Sequence, residues 1–295
     1  MSIKISVITV VYNGQDTILD TIESVLSQTH DNIEYIIIDG GSTDATLDIV
    51  RKYFDKISVV VSEPDNGIYD AMNKGVMLAT GEVVAILNAD DYYVNQHVLE
   101  NISNCYPFDI LATSTVVESN EGSAVFHPSH FDVGKLYLRM PFMHPSSFVS
   151  RKVYERIGLY SQKYSLAADC DFLMRCSKRG VELSILDMES VYMRSGGASD
   201  RGYLKGRKEY YSAYCNNFGR RFWASVGFLI SIAEYYAYKV YRRLLIAEAS
   251  IQSIPSTVVG YYGVTMWSPE EEKFWVTLYK QVTSMRLKIK KKYKL

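Results

Sequence analysis

The sequence predicts an α/β protein built on a Rossmann-like, mostly parallel sheet flanked by helices, with a helical extension after it. Three observations carry this. Short apolar runs rich in β-branched residues alternate with segments of helical period through residues 1–90. The apolar runs are continuous rather than alternating, which marks strands covered on both faces, as in a parallel sheet. From Tyr203 onward the pattern is helical and no strand run interrupts it.

In chain order, Ile3 to Val11 is the first strand, broken by Tyr12-Asn13-Gly14. Ile18, Ile22, Val25 and Leu26 mark a helix. Tyr35 to Ile38 is a second buried strand with Asp39-Gly40-Gly41-Ser42 as its exit turn. Asp44 to Phe54 reads as a helix with Leu47, Val50 and Phe54 inward, and Ile57 to Val61 as a third strand. Ile68, Ala71, Met72, Gly75 and Ala79 fall on one face of a helix that Gly81 ends. Val83 to Leu87 is the next strand, and it runs into Asn88-Ala89-Asp90-Asp91. Beyond Asn95 the order is looser. Asp109 to Val117 and Ser123 to Phe126 are strands joined by a polar turn around Asn120 and Gly122, and Met143 to Val149 is a further apolar piece. Arg151 to Ile157 and Asp169 to Lys178 are helices ended by Gly158 and Gly180. Leu183 to Leu186 is a strand, and Gly196-Gly197 sits in a loop expected to be mobile. The C-terminal helices break at Pro255 to Gly263, resume near Ser268-Pro269 and end in the lysine-rich segment Lys288 to Lys294.

The formal net charge of −1 hides an asymmetry: residues 200–295 carry 17 Lys+Arg against 7 Asp+Glu, and residues 1–199 carry 15 against 26. An acidic first part suits a metal-dependent site, and a basic second part suits an anionic surface. Residues 1–202 are therefore expected to form the catalytic domain and 203–295 a basic helical extension. Four cysteines, with neither zinc spacing nor disulfide density, suggest free thiols in a reducing compartment. Met1 leads directly into a strand pattern rather than a signal peptide. The apolar run from Phe222 to Ala233 is shorter than the about 20 residues a spanning helix needs. The expected location is cytoplasmic, with peripheral contact to the cytoplasmic face of the inner membrane. Nucleic acid is not an expected partner, because no recognition motif accompanies the charge. Oligomeric state is open.

Acidic residues recur at strand ends, at Asp39, at Glu63 and Asp65, and at Asp90 and Asp91. In a parallel sheet those ends meet at one edge, where open α/β sheets bind ligands. Such carboxylates suit ribose hydroxyls or a Mn2+ or Mg2+ ion set against phosphate. Singly, Asp39 and Asp65 also read as turn or cap residues. Asp169 has two readings, a helix N-cap and a general base facing the same edge. His144 reads either as a plain loop histidine or as a contact to phosphate or acceptor.

Taken together, these residues resemble glycosyltransferase family 2, the inverting nucleotide-sugar transferases of GT-A fold, over roughly Ser2 to Ser199. Thr9-Val10-Val11-Tyr12-Asn13 resembles the first-strand motif beside the base. Asp39-Gly40-Gly41-Ser42-Thr43-Asp44 resembles the turn that reads uracil or ribose. Asn73 with Gly75, and Ala79-Thr80-Gly81, resemble the helix and turn before the metal strand. Asn88-Ala89-Asp90-Asp91 resembles the metal motif, Ala168-Asp169-Cys170-Asp171 the motif of the base, and Arg194-Ser195-Gly196-Gly197-Ala198-Ser199 the loop that follows it. The resemblance implies Asp169 as base and Asp91 as metal ligand with Asp90 second, nearer the ribose. It also implies donor contacts from Thr9, Tyr12, Asn13, Asp39, Ser42, Glu63, Asp65 and Asn73, with His144 and Arg194 near acceptor or phosphate.

The string from Glu63 to Gly75 is similar to the subgroup that builds bacterial O-antigen and capsule repeat units. That similarity implies a nucleotide-sugar donor, most simply UDP-linked, and an acceptor saccharide on a polyprenyl diphosphate. Three departures stand out: Gly40 in place of a second aspartate, Met72 in place of arginine, and Ala168 in place of glutamate. A nucleotidyltransferase is the next reading, yet it calls for a glycine-rich basic loop where Tyr12-Asn13-Gly14-Gln15 stands. A nucleotide-sugar-binding protein without catalysis is expected to lack Asp91 or Asp169, and both are present. No G-x-G-x-x-G follows the first strand, which disfavours a dinucleotide oxidoreductase.

Overall fold

The structure, a computed structural model, describes residues 2–119, 122–132, 135–197 and 202–249, with side chains to residue 236. The Pro255–Gly263 break, the helix near Ser268, the lysine-rich end, Asn120 and Ala198-Ser199 lie outside the described residues.

Nine strands among the described residues form one curled sheet in the order β3-β2-β1-β4-β8-β6-β9-β5, with β7 on β6. Strands β1 (Ile5–Val11), β2 (Ile33–Asp39), β3 (Val59–Ser62) and β4 (Val83–Ile86) are mutually parallel. Helices α1 (Ile18–Leu26), α2 (Thr46–Arg51) and α3 (Ile68–Leu78) connect them, as the alternation predicts. The second half is mixed. Strand β8 (Ser147–Ser150) runs antiparallel between β4 and β6 (Ile110–Ser119). Strand β9 (Leu183–Arg194) lies parallel to β6, and β5 (Asp91–Tyr93) pairs antiparallel with the end of β9. The hairpin β6–β7 (Gly122–Phe126) has no crossover helix, and parallel pairing requires one. Helices α4 (Val98–Asn104), α5 (Arg151–Ile157) and α6 (Ala168–Lys178) complete the layers.

Because side chains alternate along a strand, β1 feeds two cores. Ile8 and Val10 join Ile36, Ile38 and Ile86 beneath α3, α5 and α6. Ile5, Val7 and Val11 join Tyr35, Ile37 and Leu87 beneath α1, α2 and α4. Helix α3 lies unusually close to β1, since a Cβ at Gly75 would come 2.3 Å from Ile8 Cγ2. Helix α2 is shorter than its periodicity suggests. It ends at Arg51 in a series of turns, and Phe54, expected inward, is 51% exposed. The strand expected at Leu183 to Leu186 continues to Arg194, where its far half pairs with β5.

The C-terminal helices α7 (Tyr203–Phe218) and α8 (Arg221–Ala249) pack on the catalytic layers. Tyr210, Ala213 and Tyr214 of α7 are buried in the α6 core, and Ala224 and Ser231 of α8 are buried beside them. The opposite face of α8 leaves Phe222, Leu229, Ile230 and Tyr236 exposed. Among the described residues, no helix is long and apolar enough to cross a membrane.

One polar cluster ties the N-terminal edge of the parallel strands. Buried Glu34 accepts hydrogen bonds from Ser6 Oγ, Thr80 N and Oγ1, and Lys4 Nζ. Burial pushes its pKa up, but these bonds outweigh burial and hold it at about 2, below the ordinary 4.5. A depressed carboxyl pKa contributes stability above the unfolded value and loses it as pH falls towards the folded one. In urea unfolding, the stability gap between the native chain and Glu34→Gln should therefore be widest near neutrality and close as pH falls from 4.5 to about 2. A gap unchanged over that window would rule out the cluster as its source.

Candidate active site

A cavity of about 510 Å³ opens over the C-terminal ends of β1 and β4, the edge at which the strand-end acids were expected to meet. Tyr12, Asn13 and Asp65 line one side, and Asn88 to Asp91 line the floor. His144, Asp169 and Arg194 close it from the antiparallel half. Carboxylates from residues 65, 90, 91 and 169 thus share one hollow.

The floor is electrostatically unfavourable as it stands. Asp91 is 1% exposed, and its Oδ1 has no hydrogen-bond partner, while Oδ2 accepts from Asn88 Nδ2 at 3.1 Å. Burial first, and then the Asp90 charge, push the Asp91 pKa well above the ordinary value against the pull of Asn88 and Arg194. Burial also raises Asp90, with Arg194 opposing. Two adjacent acids and an orphaned buried oxygen fit a divalent cation, which would relieve both burial and repulsion. Among the described residues no group of three or more His, Cys, Asp or Glu gathers as a closed metal cage. A cation held here would take its other ligands from water or phosphate, as Mg2+ commonly does.

The far wall is built from three elements. Asp169, in the first turn of α6, accepts a hydrogen bond from Tyr69 Oη at 2.8 Å. His144 begins a 3-10 turn (His144–Ser146) ahead of β8, and its Nε2 lies 3.5 Å from the Tyr160 hydroxyl. Burial lowers the His144 pKa although Asp169 pulls it upward, so the imidazole is neutral near pH 7. Arg194, at the end of β9, stacks over Tyr92 at 4.8 Å, donates to the Asp90 carbonyl at 3.3 Å and pairs with Asp20.

Residues 6–158 match the model of the family described as Glycosyl transferase family 2. The chain belongs to glycosyltransferase family 2. A PGL/p-HBAD biosynthesis glycosyltransferase of Mycobacterium bovis BCG is 32% identical over 165 residues, which cover 52% of this chain and 62% of that protein. The Escherichia coli UDP-Glc:alpha-D-GlcNAc-diphosphoundecaprenol beta-1,3-glucosyltransferase WfaP is 41% identical over 99 residues, covering 33% of this chain and 39% of WfaP. The chain thus spans less than two thirds of the length of these relatives. Among solved structures, the mannosyltransferase PcManGT of Pyrobaculum calidifontis, with GDP-Man and Mn2+, superposes with a TM-score of 0.61 at 17% identity. It covers 86% of this chain and 77% of its own. Staphylococcus aureus TarS 1–349 with UDP-GlcNAc gives 0.57 at 20% identity, covering 72% and 67%. These likenesses establish the GT-A-type fold.

Within this family 2 chain, several residues expected at the donor do not reach the cavity. Thr9 is fully buried on the α1 side of β1 and shares a hydrogen bond with the Tyr35 hydroxyl at 3.2 Å; strand alternation turns it away from the ligand edge. Asn73 is buried and clamps the backbone of Tyr160, donating to its carbonyl and accepting from its N–H, both at 2.9 Å. Glu63 points outward and pairs with Lys74 at 2.8 Å. Asp39 is fully buried and accepts from Ser62 Oγ and from the backbone N–H groups of Gly41 and Ser42, so it organises the turn. Ser42 Oγ accepts from Asn13 N, and Asn13 Oδ1 accepts from Thr43 N. Those bonds hold Asn13 at a φ of 51° and tie the exits of β1 and β2 together.

Gly40 has a positive use. A Cβ there would come 2.4 Å from Asp65 Oδ2, so the glycine makes room for the Asp65 carboxylate above the turn. Asp65 thus stands over the position where the resemblance expects an aspartate side chain. Gly40→Ala should displace Asp65 and weaken nucleotide binding on the order of tenfold, with little change in melting temperature. Calorimetric titration with UDP checks this, and unaltered affinity would remove Asp65 from the donor site.

Proposed function

We propose that this family 2 chain transfers a hexose from a nucleotide-diphosphate sugar, most simply a UDP-sugar, to a hydroxyl of a lipid-linked saccharide. The product is a bacterial surface polysaccharide of the O-antigen or capsule kind. The observation that carries the reading is the cavity that Asp169 shares with Asp65, Asp90 and Asp91. Support for the donor and acceptor comes from WfaP, whose name specifies UDP-Glc and a diphosphoundecaprenol-linked sugar, and from TarS, solved with UDP-GlcNAc.

The site residues divide the work. Tyr12 is 64% exposed at the rim, where its ring can face a base, and Asp65 on the same side can accept from ribose hydroxyls. Asp169 takes the proton of the acceptor hydroxyl as that oxygen attacks the anomeric carbon. The nucleoside diphosphate leaves from the opposite face in the same displacement, so the configuration inverts. A divalent cation held by Asp90 and Asp91 would supply positive charge against the diphosphate. Neutral His144 can donate a hydrogen bond to a phosphate or acceptor oxygen, and Arg194 adds fixed positive charge beside Asp90.

The acceptor's lipid places the reaction at a membrane surface, and α8 suits that contact. Its exposed Phe222, Leu229, Ile230 and Tyr236 follow Arg220-Arg221, an apolar face with a basic edge. The reading puts the protein on the cytoplasmic side, where nucleotide sugars are made.

Asp169→Asn should lower transfer about 10²–10⁴-fold while donor affinity stays within twofold. Transfer from a panel of nucleotide sugars, with and without Mn2+ and with product anomer read by NMR, is the measurement. Full transfer in the variant would show that the base lies elsewhere, and a retained anomeric configuration would end the single-displacement reading. Leu229→Glu with Ile230→Glu should reduce co-sedimentation with anionic liposomes severalfold and leave transfer to a soluble acceptor unchanged. Undiminished sedimentation would exclude α8 as the contact.

A further inference from the structure

We propose that Tyr69 is a positioning residue that fixes the carboxylate of Asp169 for proton abstraction; the proposal rests on the reading of Asp169 as the base. Tyr69 stands in the first turn of α3, on the donor half of the molecule, and Asp169 in the first turn of α6, on the acceptor half. Their hydrogen bond, 2.8 Å from Oη to Oδ1, joins residues 100 apart in sequence. Both side chains line the cavity.

Three features hold the tyrosine in place independently of any ligand. Its ring is buried and packs against Tyr160 with centroids 5.9 Å apart. Asn73, one turn along α3, binds both backbone polar groups of Tyr160, which fixes α3 against that loop. Tyr160 in turn packs against Phe172 of α6 at 5.1 Å, so helix, loop and Asp169's own helix form one body. The hydroxyl is therefore presented at a set place.

The consequence for Asp169 is orientational. The terminal torsion of an aspartate is broad and roughly two-fold, so a half-buried carboxylate at a cavity wall samples a range of directions. A bond from a phenol to the charged carboxylate is of the stronger, charge-assisted kind and selects one of them. With Oδ1 engaged by Tyr69, the plane of the carboxylate and the direction of Oδ2 are set. An acceptor hydroxyl then meets a base already aligned for attack, which is where orientation contributes to rate. The neighbouring Cys170 is not a competing base or nucleophile, since burial, followed by the Asp169 charge, pushes its thiol pKa well up.

The test is a double-mutant cycle. Tyr69→Phe removes one oxygen from a ring that stays packed. It should lower kcat roughly tenfold, with the KM for donor and the melting temperature unchanged. In the Asp169→Asn background the same substitution should cost nothing further, because the tyrosine acts only through that carboxylate. Transfer at the native rate by Tyr69→Phe, while Asp169→Asn is impaired, overturns the positioning role and leaves the base assignment intact. An equal cost of Tyr69→Phe in both backgrounds, a raised donor KM with unchanged kcat, or a melting temperature falling in step with the rate overturns it as well. Native transfer by Asp169→Asn removes the base itself, and the role of Tyr69 falls with it.

Discussion

The close seating of α3 on β1 is the constraint from which the site follows. Only the missing side chain at Gly75 lets the helix reach this depth against Ile8. At that depth Asn73 meets the backbone of Tyr160, and the parallel and antiparallel halves are fastened to each other by a buried two-way hydrogen bond. The same helix presents Tyr69 to Asp169 and follows the turn that carries Asp65. A helix standing further out would draw Tyr69 and the turn of Asp65 away from Asp169. Tight packing in one core thus becomes geometry in the cavity above it.

The acids in and beneath that cavity are not equivalent, and their differences come from hydrogen bonding rather than from position in the chain. Asp39 has three donors and is fully buried, so it holds a turn. Asp91 is equally deep, yet one oxygen has no partner and a like charge sits beside it. Asp169 accepts from the Tyr69 hydroxyl, is partly exposed and lines the cavity wall. A satisfied carboxylate is structural, an unsatisfied pair invites a cation, and a lightly tethered one is available to accept a proton.

This ranking explains which parts were readable in the sequence. The four parallel strands and their helices were, because continuous apolar runs and helical period are direct images of two-sided burial. The meeting of residues 65, 90 and 91 followed from their places at strand ends, whereas Asp169 was brought to them only by the resemblance. The direction of strands β5 to β9 did not, since an apolar run carries no sign of its partner's polarity. Nor could Thr9, Asn73, Glu63 and Asp39 be told from cavity residues: the same polar side chain serves either a ligand or the backbone, and only three-dimensional partners decide. Tyr69 carries no such mark, because by helical period it lies beside, not on, the apolar stripe of Ala71, Met72 and Gly75. An aromatic hydroxyl in a helix's first turn at the ligand edge was the available signal.

The helices after residue 202 read as an appendage in sequence, but their contacts tie them to the proposed base. Glu209 of α7 accepts hydrogen bonds from Ser165 Oγ at 2.8 Å and from Leu166 N at 2.7 Å, in the segment that leads into Asp169. Asn216 donates to the Tyr164 hydroxyl and Asn217 to Asp171 Oδ1, on either side of it. Helix α6 begins at Ala168 with no side-chain cap of its own, so its entry is held from outside. The family match ends at residue 158, before any of these positions. The matched half therefore carries the proposed donor contacts and the acidic floor. The unmatched half supplies the proposed base and the helix that braces it. Under the proposed function, differences among acceptors can then arise from how α7 and the 160–169 segment meet, without altering the strand ends proposed to receive the nucleotide.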